Sequence, residues 1–382
     1  MTVPYWRLSG FYFFYFATLG AFLPYWSLYL EYKGFNALEI GELSAFMMGT
    51  KIIAPNLWGA IADYTGKSLR IIRIASFFAA LLFAGFIFKN GYLWFAIITV
   101  GFSFFWNAAL PQFEAATLFH LKHEPHRYSQ IRLWGSIGFI VSVLGIGKLL
   151  ETYSINGLPM VVVVFFVSIW LMALITPEAK TPPHEESVGV WHIIKKPEVI
   201  AFLTVYMLLQ AAHGPYYVFY SIYLSHLGYS STLIGGLWAL GVVAEVILFI
   251  FMRKLLSVFS LRSILLWSAF LSMVRWLIIA LAANSIYWMV GAQLLHAATF
   301  GSSHVAAIHL VQKYFGHKHQ GKGQALYSSI SFGLGGMLGS LLSGLYWDEF
   351  GAMIIYSTAS ACCFLAFVIS YFGVERNREV VS

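Results

Sequence analysis

Charge is what this sequence has least of. Acidic and basic residues together make up 10% of the 382 residues, where a water-soluble domain carries about a quarter. With 59% hydrophobic residues and a mean hydropathy of +0.75, an ordinary soluble enzyme or binding domain is excluded. Cysteine is scarce too. The two present, Cys362 and Cys363, are neighbours in an apolar run, which excludes a disulfide framework and a cysteine metal site. Long polar intervals are absent: the longest runs over about 177–197, too short for a second domain. No HExxH or GxSxG motif occurs, and GLGGMLG (333–339) lies inside an apolar segment with no strand before it to make a phosphate loop. Hydrolytic chemistry, a metal, a cofactor and nucleotide-driven pumping are therefore not expected. The net charge of +7 is spread through short loops with no basic stripe, so nucleic acid is not an expected partner.

What the sequence has in abundance is apolar runs of membrane-crossing length. They fall near 6–30, 38–62, 71–89, 92–120, 129–149, 159–176, 199–225, 231–252, 262–283, 286–312, 323–346 and 352–373. The first is too long for a signal-peptide core and lacks a small-residue cleavage site, so it reads as the first span. An all-α integral membrane protein of twelve transmembrane helices is expected. Its two six-helix halves occupy 1–176 and 198–382, joined by a cytoplasmic linker over 177–197. Counting Lys and Arg between spans puts seventeen on one side (Arg7, Lys67, Arg70, Arg73, Lys122, Arg127, Lys180, Lys195, Lys196, Arg253, Lys254, Arg262, Lys313, Lys318, Lys322, Arg376 and Arg378) and three on the other (Lys33, Lys89 and Lys148). Positive charge stays inside, so both termini are expected in the cytoplasm of a bacterial inner membrane.

The halves repeat at an offset of 194 residues. GFNALEIGEL (34–43) overlays GYSSTLIGGL (228–237), and the same offset pairs Leu30 with Leu224, Gln130 with Gln324 and Gly145 with Gly339. Duplication of a six-helix unit follows, in one unbroken register. Two parallel six-helix repeats are the architecture described for the major facilitator superfamily. The loop GAIADYTGKSLR (59–70) resembles that superfamily's loop signature in Gly59, Asp63, Gly66, Lys67 and Arg70. Gly59 is expected to let helices approach, Asp63 to sit at a helix end, and the cations to anchor the loop to headgroups, as a gate or as a plain positive anchor.

The repeat also serves as an internal control. Glu114 pairs with Ile308, Arg132 with Leu326, His296 with Phe102 and Arg275 with Leu81, while Lys51 pairs with Glu245. These intramembrane charges are additions the shared scaffold does not require, and such charges are costly and functional. Glu114 and Arg132 fall at similar depth on adjacent antiparallel helices and are expected to pair, either as a static bridge or as a binding site. Phe139, two turns beyond Arg132, is placed on its face and would plate a ligand with a ring and an anionic group. In the second half Glu245 and Arg275 are expected to pair, with His296 close enough to exchange protons and His213, beside Pro215, enlarging the polar zone. Each of these histidines also suits an ordinary core position. Lys51 has no assigned role. Aromatic helices 1 and 7 (Tyr12, Phe13, Tyr15, Phe16; Tyr216, Tyr217, Phe219, Tyr220) suit an aromatic acid or a sugar.

RLWGSIGF (132–139), LLQAAHGPYYVFYSIYL (208–224), GLWALGVVAEVILF (236–249), VRW (274–276) and QLLHAATFGSSHVAA (293–307) resemble the phenylpropionate permease family, and the Glu114/Arg132 pattern is similar to the lactose permease group of proton symporters. The resemblance implies proton-coupled uptake of a small organic solute by a monomer in the bilayer. It places Glu114 and Arg132 at the substrate region and Arg275 and His296 at the coupling region. Where the lactose permease group has a glutamate three residues after the histidine, this chain has Thr299, so Glu245 and Glu114 are the carboxylates left to carry the proton. Oligosaccharide or nucleoside uptake, efflux of drugs or metabolites, and a non-transporting sensor are the alternative functions.

Overall fold

A computed structural model describes residues 3–122, 124–178 and 189–375. Lys180, Arg376, Arg378 and the middle of the 177–197 interval lie outside the described residues. Every regular element among the described residues is a helix. The spans are α1 (Tyr5–Tyr32), α2 (Ala37–Thr65), α3 (Ser68–Phe83), α4 (Tyr92–His120), α5 (Tyr128–Thr152), α6 (Leu158–Ile175), α7 (Pro197–His226), α8 (Ser231–Val258) and α9 (Leu261–Ala282). After them, α10 starts at Ile286 and ends at the break at Gly316. A last stretch of 56 residues, Lys318–Gly373, is broken at Gly351, where the backbone turns to φ 71°, into α11 (318–350) and α12 (352–373). Ten of these stretches are long and apolar enough to cross a membrane. Dividing the last at Gly351 and adding the 29-residue α2, which Glu39, Glu42, Lys51 and Asp63 make more polar, brings the spans to twelve.

The chain divides into two compact units, Met1–Ser187 with Tyr220–Ala239, and Val188–Phe219 with Leu240–Ser382. In the first, α1 packs along α5 and α3 along α4, with α6 against both α1 and α3. Its core is aromatic: Phe22, Phe83, Phe86, Phe102, Trp106 and Phe166 interlock with ring centroids 5–6 Å apart. Such tilted contacts contribute about 0.5–1.5 kcal/mol each beyond area burial. The tip of the α7–α8 hairpin belongs to this unit. Tyr25 Oη donates to the Val143 carbonyl at 2.7 Å and lies 3.4 Å from the Ser231 carbonyl. In the second unit α9 packs along α12, and α7 crosses α11 at glycine.

The repeat is visible in hydrogen bonds. Gly34 and Gly228 close α1 and α7 with φ 88° and 86°, a left-handed conformation that side chains resist. In both, the following N–H returns to the helix: Phe35 N to Leu30 O at 3.2 Å and Tyr229 N to Leu224 O at 3.0 Å. Here the 194-residue offset holds. It does not hold in α5 and α11. Phe13 O meets Gly138, and its partner at the same offset, Met207 O, meets Gly335. Gly138 and Gly335 are 197 apart, so the unbroken register expected from sequence is corrected by three residues. Two π turns, Ala297–Ser302 in α10 and Ser329–Gly335 in α11, lie in that interval and take up extra chain without ending a helix. The partner of Arg132, which precedes the second π turn, then falls among Leu326, Tyr327, Ser328 and Ser329, none of them charged. The site charge remains an addition to one half.

Glu178, just past α6, accepts the Leu69 N–H at 2.9 Å at the start of α3, and Arg73 donates to the carbonyls of Ala173 at 3.0 Å and Thr176 at 2.7 Å. Glu375 takes the Arg262 N–H at 3.1 Å at the start of α9 in the same way. Glu178→Ala removes a helix cap and is expected to cost about 1 kcal/mol. It would be read as a lower unfolding temperature in detergent; an unchanged temperature would show that the cap contributes nothing.

Candidate functional site

Among the described residues two clusters of intramembrane charge emerge, one in each unit. In the first, α4 carries Glu114 and α5 carries Arg132. The antiparallel hairpin brings Arg132 Nε to 3.8 Å from Glu114 Oε1, with the two side chains 31% and 37% exposed. The guanidinium lies 4.0 Å from the ring centre of Phe16 and 5.5 Å from that of Tyr12, both on α1. Gly135, one turn beyond Arg132, leaves the room: a Cβ there would sit 2.8 Å from both Arg132 Nη1 and Phe16 Cδ2. The pair expected from sequence is present, but the aromatic plate is not Phe139. Phe139 is buried, with its backbone carbonyl against Gly20 of α1. Two turns separate it from Arg132 by about 10 Å along the axis, while the arginine reaches sideways to α1. At a third exposure an ion pair alone contributes about 0–1 kcal/mol. Stacking on two rings fixes the cation more firmly.

The second cluster is more deeply buried. Arg275 on α9 is 0% exposed. Its Nε donates to the Ala292 carbonyl at 3.0 Å, Nη1 to Thr299 Oγ1 at 3.3 Å and Nη2 to Gln293 Oε1 at 3.5 Å, while its guanidinium lies 4.4 Å and 4.5 Å from the ring centres of Tyr216 and Trp276. Every one of those partners is neutral. Among the described residues no carboxylate lies within ion-pair distance of Arg275, so the expected Glu245–Arg275 pair is replaced by another. Glu245 Oε2 stands 3.9 Å from His296 Nε2. The reason is local geometry. The π turn that begins after His296 turns Thr299 toward Arg275 and sets Gly301 against Glu245, where a Cβ would lie 3.0 Å from Glu245 Cγ.

His213, on α7, falls in this second cluster. It is 1% exposed, its Nδ1–H donates to the Leu209 carbonyl at 2.7 Å, and its ring meets Trp276 edge-on at 4.9 Å and His296 at 6.5 Å. A carbonyl only accepts, so Nδ1 carries the hydrogen. Gln293, which sequence reading passed over, also receives the Tyr216 hydroxyl at 3.0 Å. Its signal was available: it is the residue one turn before His296, on the same helical face.

Of the loop motif, the structure shows a turn and exposed charges. Gly66 ends α2 with φ 64° and ψ 17°, as its glycine requires, while Asp63, Lys67 and Arg70 are exposed. Gly59 does not mediate a close approach. A Cβ there would meet Gln112 Nε2 at 3.5 Å, an ordinary contact. The ties in this region run through Arg73 and Glu178. Lys51 is half-buried on α2 and joins no ion pair among the described residues.

Residues 5–358 match the model of the MFS_1 like family. The chain belongs to that family. This member of the MFS_1-like family is 30% identical over 364 residues to the probable 3-phenylpropionic acid transporter of Escherichia coli (strain K12), covering 93% of this chain and 94% of that protein. It is 26% identical to the maltose permease of Geobacillus stearothermophilus over 96% of this chain and 94% of that one. Among solved structures it is similar to the nucleoside transporter NupG (TM-score 0.81, 16% identity, 97% and 98% of the two chains) and to the POT family transporter PepTSo (TM-score 0.77, 12% identity, 97% and 96%). Fold and family together make this MFS_1-like protein a multi-pass membrane transporter and not an enzyme.

Proposed function

We propose that this MFS_1-like transporter is a proton-coupled symporter that imports a small organic solute, an aromatic carboxylate of the phenylpropionate type, by alternating access. It acts as a monomer in a bacterial inner membrane with both termini cytoplasmic, and its halves at 1–176 and 198–382 are joined by the 177–197 linker. The observation that carries this reading is that, among the described residues, no carboxylate lies within ion-pair distance of Arg275 while Glu245 contacts His296. A proton arriving at Glu245 or His296 neutralises that pair and leaves the cluster with the net positive charge of Arg275, which favours a solute anion. Release of the proton on the other side reverses that preference and expels the solute. In the first cluster Arg132, held over Phe16, supplies an anion-binding cation beside an aromatic ring. The 3-phenylpropionic acid relative agrees with that chemistry. The direction, import, follows the resemblance to the proton symporters and is a fold-level analogy.

The test is accumulation of labelled 3-phenylpropionate in proteoliposomes under an inward pH gradient, with maltose and uridine as comparators. Uptake of the aromatic acid, dependent on the gradient, supports the proposal; uptake of maltose or uridine alone transfers the substrate class to sugars or nucleosides, and outward pumping makes it an exporter. Arg132→Gln is expected to raise KM for the acid about tenfold, the loss of one charge-assisted hydrogen bond of about 1.5 kcal/mol, with Vmax little changed. An unaltered KM would remove Arg132 from the site.

A further inference from the structure

Gln293 occupies a position the mechanism has so far left idle. It lies on α10 one turn before His296, so the two side chains share a face. Span α8 covers that face: a Cβ on Gly241 would lie 3.1 Å from Gln293 Oε1 and 3.3 Å from His296 Cδ2, and Glu245 follows one turn later. From the other side α9 brings Arg275 onto Gln293. Gln293 and His296 thus stand between the cation and the carboxylate. Oε1 of Gln293 accepts from both Tyr216 Oη and Arg275 Nη2. Reversing the amide would aim two donors at donors, which fixes its orientation. Gln293 is 0% exposed.

We infer that Gln293 is the positioning residue for Arg275, a neutral holder in the place where a carboxylate would cancel its charge, and that this neutrality tunes the proton exchange of the Glu245–His296 pair. An amide aligns the guanidinium as a carboxylate does, through its oxygen, yet adds no negative charge. The positive charge of Arg275 therefore acts undiminished on the proton-binding pair and makes a proton harder to hold there. The other titratable groups facing the pair are His213, Tyr216 and Tyr217 from α7; His304 lies further along α10 behind Phe300, and Cys363 of α12 interacts with Arg275 and Trp276 rather than with the pair. None of these supplies the fixed positive charge that Arg275 does. The inference rests on proton coupling as proposed above.

The test is the pH profile of 3-phenylpropionate uptake in proteoliposomes. Gln293→Glu gives Arg275 a carboxylate, and the pH at which uptake falls off on the alkaline side is expected to move up by about one unit or more. Gln293→Leu keeps the size, removes the acceptor and adds no charge: uptake slows with the profile in place. Arg275→Gln removes the same positive charge from the other side and is expected to shift the profile upward too, which keeps the test decisive should Gln293→Glu fail to fold. Profiles of Gln293→Glu and Arg275→Gln that coincide with the parent, or a Gln293→Leu shift equal to that of Gln293→Glu, would overturn the inference. A parent protein with no pH dependence would instead overturn proton coupling itself.

Discussion

Glu245→Gln is expected to yield a folded carrier that exchanges solute but no longer concentrates it. One proton moving with each solute makes a gradient of two pH units worth about 2.7 kcal/mol, roughly a hundredfold in concentration. The parent protein should approach that ratio, whereas the variant should equilibrate near one. Glutamine matches the carboxylate in size and keeps an oxygen toward His296, 3.9 Å away, so packing against Gly301 is preserved. Counterflow at equal pH, which needs no net proton movement, should persist. If accumulation survives in this variant and fails in Glu114→Gln, the proton belongs to the first cluster. If it survives in both, the coupling mechanism is wrong.

The second large effect concerns helix crossings. A Cβ on Gly339 would collide with the Ala211 carbonyl oxygen, a backbone atom that cannot swing aside. Gly339→Ala should therefore force α7 and α11 apart, at a cost of about 3 kcal/mol or more, and Gly339→Val should leave little monodisperse protein. At Gly145 no atom stands within 4 Å of an added Cβ. There alanine is expected to be neutral or mildly stabilising, since it forms helix better than glycine by about 1 kcal/mol. The comparison discriminates, because the 194-residue offset treats these two glycines as equivalents. Unfolding temperatures that fall equally for both would restore the sequence register; a fall at Gly339 alone supports the three-residue correction.

Much of the molecule was legible in its sequence because lipid imposes simple rules. Span lengths follow from bilayer thickness, and the repeat that overlays Gly34 on Gly228 marks two turns of the same left-handed geometry. The Glu114–Arg132 pair was legible because a short hairpin equates depth with sequence distance. What failed were judgements of which way a side chain faces. Helices apolar all round carry no stripe to orient them, so Phe139 and Phe16 were indistinguishable as plates for Arg132 until α1 was placed. The π turn after His296 turns Thr299 toward Arg275 in a way that no 3.6-residue wheel shows, and Glu245 met His296 instead of Arg275. Gln293 was passed over because an uncharged amide looks unremarkable in a list of buried charges, although here it determines what Arg275 touches. Gly59 failed for the opposite reason. A familiar motif attached a close approach to a glycine that has none.

In the proposed cycle, solute and proton cross together through these buried charges. The most direct measurement is the pH of a lightly buffered medium outside proteoliposomes as 3-phenylpropionate is added without any imposed gradient, against protein-free vesicles that report passive entry of the acid. Alkalinisation beyond the protein-free trace, lost in Glu245→Gln, is the predicted result. Solute entry by the parent protein with no proton uptake above that trace would contradict it.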